Sequence, residues 1–408
     1  MTDMSESKHV RANRPLDGIT VIDFGQIYQG PYATFLMAKA GANVIKVEPL
    51  VGEPMRYRAK ATKGAGLPIA MINANKRGIT LNLKSERGRE LLKEMVNRAD
   101  ILLENFTPGV MDRLGVGWEV LHAINPRLIY ASGTGFGLSG PNKDNMAMDL
   151  TVQAVSGLMS VTGEPDGPPL KCGAAVVDFI SGIHLFGAVM MALYERSNTG
   201  EGRLVEVAMQ EAVYCSLASN LGALYTADGK VPERTANKHG GLALAPYNVY
   251  RAKDGYVAII CVKEEHWQNL LAGMGREELA EDPRFMTNRE RTINMQACDA
   301  AVEAWTMALT KDEFIEVAKR HRIPSAPVRD MIEVINDPHM HERGMLEWIE
   351  HPDFGRIVVP GSPLRLHGTE PLASTPSPRL GQHNDEIYGE WLGLGADGVA
   401  ELKRDGVI

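Results

Sequence analysis

Among the side chains able to do chemistry, one carboxylate stands apart by its surroundings. Asp178 closes the run Lys171-Cys-Gly-Ala-Ala-Val-Val-Asp178, and residues 180–196 beyond it carry apolar side chains at helical spacing. The small apolar run 174–177 predicts a short buried strand, so Asp178 sits where the chain enters a helix. There it lies among free backbone N–H groups and at the positive end of the helix dipole, which favours negative charge. An ionised carboxylate so placed can attack an acyl carbon. The same position also suits an N-cap, and residue type and spacing leave both roles open.

Other site chemistries find less support. The chain has no HExxH, no GKS or GKT phosphate loop and no GxSxG elbow. Its eleven histidines are dispersed; the one close pair, His339 and His341, falls in a polar stretch and is expected to be solvated, so no metal site is predicted. Catalytic weight therefore rests on carboxylates. Asp23, Glu48, Glu104 and Asp149 also lie near predicted strand ends, but only Asp178 directly precedes a long helix among residues small enough to leave room for a substrate. Asp23 and Glu48 are expected to cap turns or pair with Lys or Arg.

The elements that must hold Asp178 follow from periodicity. Residues 20–24, then a helical pattern through Lys39, then Asn43-Val-Ile-Lys-Val47 give β-α-β with a short crossover, hence a parallel sheet. The first turn, Gly25-Gln-Ile-Tyr-Gln-Gly30, lacks the GxGxxG dinucleotide fingerprint. Further strands are predicted at 79–83, 101–104, 128–131 and 204–207, with helices at 86–97, where Ser85 can cap, and at 209–225. Asn105-Phe106 follows a strand's carboxyl end, where open α/β sheets bind ligands. Residues 48–75 and the glycine-rich 133–140 read as loops. Composition changes near 226: a polar linker leads to a hairpin at 247–260 and three helices, at 266–274, 297–309 and 311–320. The domain plan is a tail at 1–14, a large α/β domain from 15–225, a small α+β domain at 226–325, and a loop-rich return at 326–408 that ends in a helix at 385–391.

Composition bounds the rest. A chain of 408 residues with 44% hydrophobic content can bury a large core in two domains. Its net charge of −8 argues against a nucleic-acid partner, although Lys76-Arg77 could hold a phosphate locally. The four cysteines show no metal-ligand spacing and fit a reducing compartment. No run approaches membrane-span length, and residues 1–14 are too polar for a signal peptide. A cytoplasmic protein without membrane attachment and with a mobile N-terminal tail is expected.

In this order, a set of segments resembles the class III coenzyme A-transferases, the family of formyl-CoA transferase and carnitine CoA-transferase. They are Pro15-Leu-Asp-Gly-Ile-Thr-Val-Ile-Asp-Phe24, Gly30-Pro31, Gly41-Ala-Asn-Val-Ile-Lys-Val-Glu48, Asn75-Lys-Arg77, Glu104-Asn-Phe106, Gly140-Pro141, Gly173-Ala-Ala-Val-Val-Asp178, Met209-Gln-Glu-Ala212, Ile323-Pro-Ser-Ala-Pro-Val328 and Leu380-Gly-Gln-His383. The resemblance implies that Asp178 is the nucleophile, that acyl-CoA and a small carboxylic acid are the substrates, and that no cofactor is tightly bound. It places CoA contacts at Tyr28 and Gln29, at Leu81, Asn82, Leu83 and Lys84, at Asn105 and Phe106, and at Arg113. It further implies a Rossmann-like large domain built from both chain ends, a small domain from the middle, and an interlocked homodimer.

The chain departs from the better-known members in several places. It has Tyr28-Gln29 where they have Gln-Ala, Pro49 where they have a basic residue, and Met148 where they have Tyr; their glycine-rich lid is shortened to Lys238-His-Gly-Gly241. Racemases of α-methylacyl-CoA share the fold but carry His-Asp where this chain has Met148-Asp149. A thioether cannot accept a proton at neutral pH, which favours transfer over racemisation; a catalytically inactive CoA-binding protein is the third reading. Arg56, Arg58 and Lys60 are the cations available in the long loop for a dicarboxylate, and Met146 and Met148 suggest an apolar wall.

Overall fold

A computed structural model describes residues 14–56, 66–226 and 234–408; Arg58, Lys60 and the tail up to residue 13 lie outside them. The chain divides into two compact units. The first comprises the described residues up to Val152 together with Ala174–Val213 and Asp337–Ile408, and the second comprises Gln153–Gly173 and Tyr214–Asn336.

The first unit is built on six strands: Thr20–Asp23 (β1), Asn43–Glu48 (β2), Arg77–Thr80 (β3), Ile101–Glu104 (β4), Ile129–Thr134 (β5) and Leu204–Ala208 (β6). They form one sheet in the order β3-β2-β1-β4-β5-β6. All pairs are parallel, with Ile22 opposite Ile45 on one side and Leu102 on the other. A parallel sheet is covered on both faces, and its strands accordingly read as nearly unbroken apolar runs. On one face Ile22, Ile45, Ile79 and Leu102 pack with Leu91, Leu92 and Met95 of the helix Glu86–Val96 and with Ile387, Tyr388 and Leu402 from the chain's end. On the other, Val21, Val44, Leu103 and Ile129 pack against Ala33 and Met37 of the helix Gln29–Lys39 and against Leu185, Val189 and Ala192 of the long helix Val176–Thr199. Ser85 caps its helix as expected, accepting from the Gly88 N–H at 3.0 Å.

Three expectations are corrected. Residues 174–177 form no strand: the long helix begins at Val176, so its first turn already contains Asp178. The N-cap residue, Ala175, has no capping side chain, and Asp149 serves instead; its Oδ2 accepts the Val177 and Asp178 N–H groups at 2.9 and 3.2 Å. That remote cap lets the helix start upstream of its own polar residue. Second, this 24-residue helix is long and apolar enough to cross a membrane by length and composition, contrary to the expectation that no segment is. Leu185, Val189 and Ala192 on its buried side face the sheet core. Third, Lys76 is no phosphate site. Its Nζ is buried and donates to Asp23, Pro31, Thr34 and Asn73 at 2.7–2.9 Å, while Arg77 bonds Asn43 and Glu386. Smaller differences occur at edges. β3 starts at Arg77, the predicted 209–225 helix is broken by a tight turn at Cys215–Leu217, and an additional helix spans Gly395–Arg404.

The second unit has its own core. Strands Tyr247–Ala252 (β7) and Gly255–Ile260 (β8) form the expected antiparallel hairpin, joined by Ser325–Pro327 (β9). Trp267, Phe285, Val302 and Phe314 from the surrounding helices fill the space against Val257 and Ile259. The remaining strands, Leu346–His351 (β10) and Gly355–Pro360 (β11), form a separate hairpin within the first unit.

Candidate active site

Strand order reverses between β1 and β4, and the carboxyl ends of these two strands open a crevice where α/β sheets bind ligands. Three loops leave this edge: 25–28 after β1, 105–109 after β4 and 135–148 after β5. The long helix brings Asp178 to the same place. Together they enclose a cavity of about 320 Å³ whose lining includes Gln29, Asn105, Phe106, Gly133, Met148, Asp149 and Asp178.

The β1 loop is held rigidly. Ile27 has φ of 62°, a left-handed conformation that is costly for a β-branched residue, on the order of 1–3 kcal/mol. Neighbouring groups enforce it. The Glu53 carboxylate accepts the Ile27 N–H at 2.9 Å. Asn105 accepts the Gln26 N–H at 2.7 Å and donates to the Gln26 carbonyl at 3.0 Å. Behind them, Lys46 pairs with Glu53 at 2.8 Å and donates to the Gly25 carbonyl at 2.9 Å, both side chains being fully buried. An ion pair so deep stabilises little net, but breaking it would leave a buried charge, so it fixes the loop's geometry. Asp23 is likewise committed to Lys76, and Glu48 to Arg56, as the sequence suggests. Burial works to raise the Asp23 carboxyl, but Lys76 and Lys46 outweigh it and hold the group below the usual carboxylate range.

Arg56 is therefore not available to a substrate: its guanidinium is bidentate on Glu48, with both bonds at 2.7 Å, and also donates to the Pro378 carbonyl. Among the residues lining the cavity the one cation is Lys143, on the exposed loop after β5.

The predicted site residues separate into two groups. Gln29, Asn105, Phe106 and Asp178 meet in the cavity. Tyr28 precedes the first helix, and its ring lies 5.5 Å from that of Phe179, the residue after Asp178. Leu81, Asn82, Leu83 and Lys84 follow β3 at the same edge of the sheet but do not line the cavity. Leu81 is buried, Asn82 is tied to Gly406, and Lys84 is exposed. Arg113 is exposed at the end of the turn Val110–Arg113 beyond β4. Lys238-His-Gly-Gly241 belongs to the second unit, where Lys238 pairs with Asp299.

Sequence reasoning overlooked two features. Asp149 is the helix cap, which no local motif signals because 28 residues separate it from Val177. Glu104 ends β4 with its carboxyl pushed up to about 7 by burial, although the Ser132 hydroxyl and the Phe106 N–H pull it down. The cavity as a whole offers a half-apolar pocket with a buried carboxylate on a helix's first turn. It has no histidine among its lining residues.

Comparison with known proteins places this arrangement. The family model described as CoA-transferase family III matches residues 16–384. The formyl-CoA:oxalate CoA-transferase of Streptomyces avermitilis is 40% identical over 411 aligned positions, covering 97% of this chain and 100% of that protein. The acetyl-CoA:oxalate CoA-transferase of Acetobacter aceti is 36% identical, covering 95% and 98%. A crystal structure of a CAIB/BAIF family protein from Brucella suis superposes with a TM-score of 0.81 at 35% identity, covering 93% and 99%.

Proposed function

This chain belongs to CoA-transferase family III and is an enzyme that transfers coenzyme A, and from that premise we propose that Asp178 is its nucleophile and a small carboxylic acid its acceptor. The observation that carries the reading is the placement of Asp178: a buried carboxylate on a helix's first turn, in the cavity at the sheet's switch point.

The reaction begins when a carboxylate oxygen of Asp178 attacks the acyl carbon of the donor thioester. The carbon–sulfur bond breaks, CoA leaves as the thiolate, and a mixed anhydride joins Asp178 to the donor acyl group. The thiolate then attacks the aspartyl carbonyl and releases the donor acid as its carboxylate, leaving an aspartyl-CoA thioester. The acceptor carboxylate attacks that thioester and again expels the thiolate, which takes the acyl group from the second anhydride and restores Asp178. No proton is gained or lost overall, consistent with a cavity lined by no histidine. Exclusion of water matters more, because both covalent states hydrolyse.

CoA is proposed to extend from the cavity along the carboxyl edge of the sheet. Phe106 is proposed to pack on the adenine, with Tyr28 and Leu81–Leu83 as further contacts and Lys84 and Arg113 facing the phosphates. Asn105 acts by holding Gln26. Racemisation would need a proton acceptor at Met148, and Asp149 is engaged with the helix N–H groups. An interlocked homodimer in the cytoplasm completes the proposal. It is supported by exposed apolar side chains on the long helix and by four free cysteines.

The test mixes the protein with formyl-CoA, acetyl-CoA or succinyl-CoA and a panel of free acids, and identifies CoA esters by mass. New esters that vanish in Asp178→Ala support the transferase; deuterium entering the α-carbon of a branched acyl-CoA from heavy water, without exchange, would replace it with the racemase.

A further inference from the structure

Gln29 is 2% exposed, and its Nε2 has no hydrogen-bond partner among the described residues. Buried polar groups in native folds are paired, because leaving an amide donor unsatisfied is costly. The side chain nonetheless lines the cavity that holds Asp178. The fold makes room for it there. The carboxamide lies across Gly133 at the end of β5, where a Cβ would come within 2.7 Å of Oε1 and 2.8 Å of Cδ. Its backbone is set by the clamped turn at Gln26 and Ile27.

Two other kinds of group that could meet an anion near Asp178 are committed or exposed. The Val177 and Asp178 N–H groups, which a helix start would offer to an anion, point at Asp149. Lys143, the one cation lining the cavity, has a side chain 46% exposed and sits beside Asp144. Among the described residues lining the cavity, the Gln29 amide is the buried side-chain nitrogen without a hydrogen-bond partner.

We propose that the Gln29 carboxamide donates to a carboxyl oxygen of the acid bound opposite Asp178, and so selects small carboxylic acids as acceptors. The inference rests on the reading of Asp178 as nucleophile and adds the group that orients its partner. The oxygen held is the one that does not attack: it shares the free acid's charge, becomes the carbonyl of the second anhydride, and takes up negative charge again when the thiolate adds to that acyl carbon, so the same contact serves the free acid and that transition state. A neutral donor holds the carboxylate without a full counter-charge, and the acid is free to attack.

The experiment is calorimetric titration of oxalate and of acetate into the full chain in the presence of CoA. It compares the unaltered protein with Gln29→Leu and Gly133→Ala, the second of which displaces the carboxamide and leaves it chemically intact. Gln29→Leu is expected to weaken acid binding roughly 10- to 100-fold, the range for a hydrogen bond to a charged group. With CoA held at saturation for each variant, the melting temperature should not fall, because no protein partner of Nε2 is lost. Gly133→Ala should shift acid affinity the same way by a smaller factor. Acid affinities unchanged in both variants, or no acid binding by the unaltered protein, overturn the proposal. Retained exchange in Asp178→Ala would remove the nucleophile reading instead, while the acid affinities still decide the role of Gln29.

Discussion

Two carboxyls, one lining the cavity and one beside it, meet opposite demands. Asp178, the proposed nucleophile, would attack in its ionised form and lies on a helix's first turn; Glu104 ends a buried strand, where burial pushes it up to about 7. For Asp178→Ala we expect exchange to fall at least about a thousandfold, as for removal of other covalent nucleophiles. The variant should also fail to gain the mass of a bound CoA that the parent acquires from acyl-CoA, as read by intact-protein mass spectrometry. For Glu104 the linkage has a definite sign. An acid whose folded pKa exceeds its unfolded value stabilises fully only below about 4.5 and loses that contribution as pH rises through about 7. Glu104→Gln fixes the neutral form. It should be more stable than the parent at pH 8, by up to about 3 kcal/mol, and the gap should close near pH 5. Thermal melts of both proteins at the two pH values decide this; an offset independent of pH would contradict it.

At the scale of elements, the site depends on how the long helix begins. Its N-cap residue offers no side-chain acceptor, and Asp149, from the helix Asp149–Val155, supplies one across 28 residues of sequence. Asp149→Ala should cost about 1 kcal/mol, the usual value of a cap, and should slow exchange as well because Asp178 rides on that turn. Asp149→Asn keeps an acceptor oxygen and should recover most of both losses. Melting temperature and kcat measured side by side test the pair, and an Asp149→Ala protein as stable and active as the parent would refute the capping role. The opposite wall is set by another element end. The loop after β1 holds its left-handed Ile27 only because Glu53 and Asn105 bind it from two sides.

At the scale of the whole molecule, the long helix presents two unlike faces. Leu185, Val189 and Ala192 are buried in the sheet core, yet Ile183, Met191 and Tyr194 are 50%, 74% and 75% exposed. Apolar surface of this kind, on the helix that also carries the proposed nucleophile, is what interaction faces present. The proposed occupant is a second copy of the chain. Light scattering should return twice the 44.6 kDa of one chain, and an interlocked pair should keep that mass on dilution to nanomolar concentration. A monomer mass at any dilution that leaves the fold intact would end the interlocked reading. Met191→Asp combined with Tyr194→Asp should reduce the yield of folded protein and not release a stable monomer, checked by gel filtration with circular dichroism.

Local pattern determined much of this protein. Period and turn chemistry revealed the parallel strands, the hairpin β7–β8 and the cap at Ser85, because each depends on residues near in sequence or on a strand's burial. Asp178 stood out for the same reason, as a carboxylate ahead of a long apolar helix. Tertiary structure decided what depended on distant partners. A cap at Asp149 replaced a predicted strand with helix, four acceptors turned Lys76 inward, and Glu48 removed Arg56 from the substrate's reach. The buried, unpaired amide of Gln29 belongs to the same class. Pairing in a folded protein is settled by which groups the topology brings together in the absence of water, and no spacing within one segment encodes that.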